Sequence, residues 1–199
     1  MIRLIENAGL RRAACLLLVA LTCAACAARP ERSLEPVADL EGLRRASLAF
    51  VNEERARQDL PGLKLTTPIN AAAQVHAEDM ARRDFYSHRS PQGQDVADRY
   101  RANGGGLWDI IAENIASCIA CRAPTEQLRE FHAGWMRSPG HRRNILDPRV
   151  KSFGFGIASA GGRLYAVQAF VGERGETVSQ TIPPPVPMIA GRSAAAFAR

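Results

Sequence analysis

The residues of this chain best equipped for chemistry are four histidines, His76, His88, His132 and His141, and one carboxylate set in an apolar run, Glu113. Imidazole and carboxylate transfer protons near neutral pH and bind metals. His88 and His141 lie in turn-rich stretches just past helical segments, Ser87-His88-Arg89-Ser90-Pro91 and Ser138-Pro139-Gly140-His141. Loops held by a rigid scaffold are where functional side chains concentrate. Glu113 interrupts Ile110-Ile111-Ala112-Glu113-Asn114-Ile115. A carboxylate buried there must be paired, hydrogen-bonded or functional, because burying it bare is costly; the alternative is an outward-facing residue on an edge strand. His76 falls in an apolar helical stripe between Ile69 and Met80 and reads as a satisfied core histidine. His132, beside Phe131, reads as an exposed or partly buried residue without a site role.

Several catalytic patterns are missing. There is no H-E-x-x-H helix and no G-x-S-x-G elbow, and Gly104-Gly105-Gly106 lacks the Lys-Ser/Thr of a phosphate loop. Ser138 and His141 could pair as nucleophile and base, but Ser-Pro-Gly-His reads more simply as a turn, and no third member is evident.

Residues 1–27 have the form of an export signal. Arg3, Arg11 and Arg12 precede an apolar stretch from Ala13 through Ala20, which continues to Ala25. Cys23-Ala24-Ala25-Cys26 resembles the box at which bacterial lipoproteins are cleaved and acylated, which makes Cys26 the lipidation candidate. Ordinary cleavage after Ala25-Cys26-Ala27 is the rival. Processing leaves Cys118 and Cys121 as an even pair, and in an oxidising compartment C-x-x-C can close a small disulfide loop. A thioredoxin-like βαβ setting is absent, as is the second pair that a zinc knuckle would need.

The elements that must position these residues can be read along the chain. The 199 residues are 46% hydrophobic and 23% charged, which suits one globular domain with extensions. The net charge of +6 comes from 26 Lys+Arg against 20 Asp+Glu. Acids and bases are interleaved, so a solvated arginine-rich surface is expected rather than a nucleic-acid face. Residues 28–38 read as a linker. Leu40, Leu43, Ala46, Phe50 and Val51 form a helical stripe that Pro61-Gly62 ends. Thr67-Pro68 opens a second helix running to about Arg83. A loop, a short helix over 96–102 and a strand or tight buried segment over 107–116 follow. Residues 125–136 form a third major helix, and 141–146 at most two turns. Phe153, Phe155 and Ile157 alternate with Gly154, Gly156 and Ala158, so a helix or the Glu113 segment can approach the glycine face closely. Gly161-Gly162 turns the chain into a return strand over 164–171. Residues 176–199, rich in Pro and Ala, read as a mostly disordered tail behind a domain spanning 39–175.

The ordered segments Phe50–Arg57, Ala72–Ala81, Phe85–Pro91, Ala112–Ala116, Trp135–Leu146, Phe153–Gly156 and Tyr165–Gln168 resemble the CAP superfamily: cysteine-rich secretory proteins, antigen five and pathogenesis-related proteins, in their bacterial branch. The resemblance covers roughly residues 40–173. It implies an α+β fold, an α-β-α sandwich with a small, mainly antiparallel sheet between helical layers. It also implies a central cleft with two histidines and two acids. By position the histidines are His88 and His141, and the first acid is Glu113. Alignment on Trp135 puts Ser138 where the second acid would be, and Glu130 lies a turn or more away.

Two neutral imidazoles and one carboxylate can hold a divalent metal such as zinc, with water completing the shell. His88 and His141 are the expected metal ligands, and His88, Glu113 and His141 the candidate catalytic set. The expected function is that of a non-catalytic envelope or extracellular binding module for a lipid, an envelope component or a protein. The alternative is a metal-assisted, peptidase-like hydrolase, so whether the chain is an enzyme stays open. It is expected to be a monomer in the periplasm, outer envelope or medium, touching membrane only through a lipid anchor.

Overall fold

A computed structural model describes residues 30–121 and 124–174. The export signal, Cys26 and the tail over 176–199 lie outside the described residues. Among the described residues five helices and four strands follow in chain order: α1 (Leu40–Ala56), β1 (Lys64–Leu65), α2 (Thr67–Arg83), α3 (Val96–Ala102), β2 (Trp108–Ile119), α4 (Pro124–Arg137), α5 (Pro139–Ile145), β3 (Ser152–Ala160) and β4 (Arg163–Glu173). The sheet order is β1-β3-β4-β2. Only the two-residue β1 runs parallel to its neighbour; the other pairs are antiparallel. Among the described residues no helix is long and apolar enough to cross a membrane.

Strand alternation decides what each layer meets. Phe153, Phe155 and Ile157 of β3, with Phe170 of β4, join Leu43, Val51, Leu128, Phe131, Trp135 and Ile145 in a core under α1, α4 and α5. Tyr165, Val167, Ala169 and Val171 of β4 face the other way, onto Ile69, Ala73, Ala77 and Met80 of α2. This is the α-β-α sandwich. α2 lies against the glycine face of β3. A Cβ on Gly154 would stand 2.3 Å from the Ile69 carbonyl oxygen, and one on Gly156 2.3 Å from that of Ala73. Absence of side chains there lets helix and sheet backbones touch. The tight β3–β4 hairpin uses Gly161 and Gly162 at φ 58° and 71°, the left-handed region that such two-residue turns demand.

Cys118 and Cys121 are joined by a disulfide with Cα atoms 5.9 Å apart. Ala120 between them has φ 50°. Residues 30–38, expected as a linker, run along the domain instead. Arg32 donates from its backbone N–H to the Arg82 carbonyl at 2.7 Å, and its guanidinium grips Asp84 with two hydrogen bonds of 2.8 and 2.6 Å. Glu35 bridges to Ser159 and accepts from the Gly162 N–H at 3.0 Å. Leu34 and Val37 pack against the two cores. Two proline residues within a polar stretch gave no sign of these side-chain anchors.

Candidate functional site

The cleft is built across β2, an edge strand. Successive side chains of a strand point to opposite faces, so Glu113 is delivered to the α2–α3 layer and Asn114 to the α4–α5 layer.

Glu113 is only 7% exposed, and both its oxygens are occupied. Oε1 accepts a hydrogen bond of 2.9 Å from His88 Nδ1, and Oε2 accepts one of 2.6 Å from the buried Arg99 guanidinium. Arg99 also donates to the carbonyls of Gln94 at 2.9 Å and His88 at 3.3 Å, tying the histidine loop to α3. α3 is short, and its start is fixed by a capping box in which Asp95 accepts from the N–H groups of Ala97 and Asp98 while Asp98 accepts from that of Asp95. Behind the carboxylate, His76 Nε2 donates to the Ser87 carbonyl at 2.8 Å and stands 3.8 Å from Glu113 Oε1. Burial pushes the His76 pKa below its ordinary value, and the Glu113 charge pulls part of the way back. His76 is thus a core histidine that also backs the site, an arrangement its apolar stripe did not announce.

His141 enters from the opposite layer, near the start of α5. Asn114 Nδ2 donates to the His141 carbonyl at 3.2 Å, and Asn144 Nδ2 donates to Asn114 Oδ1 at 2.9 Å and to the Glu113 carbonyl at 3.2 Å. Asn114 is itself tied to Gln168, and Gln168 to Ser47, so a buried polar chain runs from α1 to α5. Burial first, and then the charge of nearby His88, lowers the His141 pKa, which favours neutral imidazole. Ser138, at the second-acid position, is the N-cap of α5 and carries no charge.

The donor set determines what a cation would meet. His88 Nδ1 is spent on Glu113, which leaves its Nε2. Glu113 is spent on Arg99 and His88. Among the described residues no group of three His, Cys, Asp or Glu side chains is placed to share a metal ion. Two imidazoles remain, with Glu113 behind one of them as an orienting partner of the kind that fixes tautomer and ring direction. Among the described residues no three-ligand set is assembled, and the nitrogens left over for a cation are those of the two imidazoles. Arg99, Asn114, Asn144 and Gln168 were not singled out in the sequence. The first lies among the Asp-Arg-Tyr-Arg of a polar helix, and nothing in its spacing separates it from exposed Arg101.

The profile of the cysteine-rich secretory protein (CAP) family matches residues 48–171, more than half of the chain. The chain belongs to the CAP family. The matched span begins in α1 and ends in β4, so it holds every residue of the cleft. The Bacillus subtilis protein YkwD is 29% identical over 124 residues, which are 62% of this chain and 45% of that protein. The membrane protein YlbC of the same organism is also 29% identical, over 62% of this chain and 33% of its own length. The chain thus spans less than half the length of the curated relatives it matches. Among solved structures, an extracellular SCP-domain protein of Bacillus anthracis superposes with TM-score 0.56 at 25% identity, covering 67% of this chain and 41% of that one. An outer surface protein of Borrelia burgdorferi superposes with TM-score 0.61 at 15% identity, covering 72% and 99%; it shares the fold.

Proposed function

We propose that this CAP domain is an exported, non-catalytic binding module whose cleft holds a divalent cation such as zinc between His88 and His141. The observation that carries the reading is the clamp on Glu113. A carboxylate that is buried, with a guanidinium on one oxygen and an imidazole on the other, has both oxygens engaged and is poorly placed to take a proton from a substrate. The same clamp turns His88 so that its second nitrogen is free to ligate. A bound cation would supply local positive charge and open positions for a ligand. The chain's own residues hold the two histidines in place, Glu113 on one side of β2 through the His88 ring and Asn114 on the other through the His141 carbonyl. The extracellular SCP-domain protein and the outer surface protein with this fold support export. Anchoring of the exported domain at Cys26 belongs to the same reading, and a Cys26→Ala chain is expected to leave the membrane fraction.

The test is zinc titration followed by calorimetry. Wild type is expected to take one cation per chain and His88→Ala/His141→Ala none. Equal uptake by both proteins would defeat the cation site. Peptide hydrolysis that disappears in Glu113→Gln would defeat the non-catalytic reading in favour of the metal-assisted hydrolase.

A further inference from the structure

α4 also lines a pair of hollows to which His88, Glu113 and His141 contribute nothing. On one side, Phe50 of α1 and His132 line a hollow of about 450 Å³. On the other, α5 and the residues after it line one of about 610 Å³. Met136 and Arg137 line both, so the two adjoin along the end of α4. Each falls in the roughly 300–1,000 Å³ range of ligand pockets.

Two observations there have no role in the fold. His132 is only 9% exposed, and both of its ring nitrogens are buried without a hydrogen-bond partner. Buried polar atoms are almost always paired, so an imidazole orphaned at both nitrogens calls for a partner from outside. Arg137, which lines the same hollow, and Arg142 and Arg143, which line the adjoining one, are exposed, and among the described residues no carboxylate pairs with them. The neighbouring acids are already taken: Glu53 and Glu54 by Arg57, and Asp147 by Arg149.

We infer that this double hollow binds an acidic saccharide chain. The inference rests on reading the chain as a binding module, but not on a cation in the cleft. Burial pushes the His132 pKa below its ordinary value against the pull of Glu54 and Glu53, so the ring is neutral and offers one donor and one acceptor. A lone carboxylate or phosphodiester supplies acceptors only and would leave one nitrogen unmet. An acyl chain supplies neither. A sugar hydroxyl both donates and accepts. Carboxylates on neighbouring sugars suit the unpaired guanidiniums, whose forked N–H groups match them two at a time. Apolar sugar faces can lie on Phe50 and Met136. Two hollows in a row suit linked units better than one compact ligand. The imidazole nitrogens are buried, so binding requires a neighbouring side chain to move, and we assign that part to Arg129, which is exposed, lines the same hollow and rests over the Phe50 ring at 5.1 Å.

The test is calorimetric titration of the exported chain with a galacturonic acid hexamer at about physiological ionic strength. Saturable binding, one hexamer per chain, is expected. His132→Phe is expected to weaken it about tenfold without lowering the melting temperature. Arg137→Gln/Arg142→Gln is expected to weaken it by a similar factor. His88→Ala/His141→Ala is expected to bind as wild type does, whatever its cation content, and loss of binding there would overturn a second site. The inference also fails if no saturable binding occurs, if His132→Phe binds like wild type, or if a neutral glucose hexamer or polyglutamate of equal charge binds as well.

Discussion

The cleft and the α4 groove each bury an ionisable side chain, and they treat it in opposite ways. Glu113 has Arg99 and His88 on its two oxygens and His76 behind it. His132 has an aromatic neighbour, Phe50, at 5.4 Å between ring centroids, and no hydrogen-bond partner. The first is a mutually held network: each group has a partner on at least one atom, with His76 Nδ1 and Arg99 Nε left over, and the network fixes the loop and helix that carry it. The second is an open valence kept inside the protein. A charge paired within such a network is stabilised by its partners, whereas a ring orphaned at both nitrogens weakens the fold and persists for some other reason.

Breaking the Glu113 network has the largest expected effect. Arg99→Leu leaves a buried carboxylate without its cation and should cost about 3–5 kcal/mol, read by urea denaturation. Arg99→Leu/Glu113→Leu should recover most of that loss, because neither charge is then stranded. A single variant as stable as wild type would mean that Glu113 draws little from its partner.

The open site should respond the other way. His132→Phe removes two unsatisfied nitrogens and keeps the ring's bulk, so stability should rise by about 1 kcal/mol. The pH dependence sharpens this. His132 has a folded pKa below the ordinary value of 6.5 because burial disfavours its charged form. The unfolded chain therefore binds the proton first as pH falls. The stability tied to this group is complete above about 6.5 and is lost as pH drops towards the folded pKa. His132→Phe should lose less stability than wild type between pH 6.5 and 5, followed by thermal melts across that range. Parallel curves for the two proteins would show that His132 is reached by water.

The smallest effect should come from the N-terminal strap, which belongs to neither site. Arg32 and Asp84 form a two-bond pair, but their side chains are 31% and 16% exposed. Arg32→Ala should cost no more than about 1 kcal/mol, and less at high salt. A larger loss would place the strap in the same cooperative unit as the cleft.

Much of the frame was legible in the residues. Alternation in Phe153-Gly154-Phe155-Gly156 marks both a strand and a face that a helix can touch, and Gly161-Gly162 marks the hairpin. Thr67-Pro68 marks the start of α2. These signals are local, and local geometry fixes them. The two-residue β1 has too little sequence to show a period and exists by pairing with β3. Glu113 stood out because a charge in an apolar run needs an explanation. Arg99, which supplies it, could not stand out, because an arginine in a short polar helix is ordinary until the fold turns it inward. His132 was read as a bystander for the same reason: the sequence shows Phe131 beside it, while Phe50 and the burial come from α1.

β2 lies at the rim of the sheet, where a strand's outward carbonyls ordinarily invite another chain to pair with them. Here side chains take those places. The Ile115 carbonyl accepts from Tyr86 Oη and from Trp135 Nε1, both at 3.0 Å, and the Glu113 carbonyl accepts from Asn144. Tyr86 comes from one layer, Trp135 and Asn144 from the other, so the middle of the rim is covered from both faces. The contacts that assemble the cleft thereby block edge-to-edge stacking of one copy on the next. A protein held at high local concentration can keep this strand at its surface without seeding fibres.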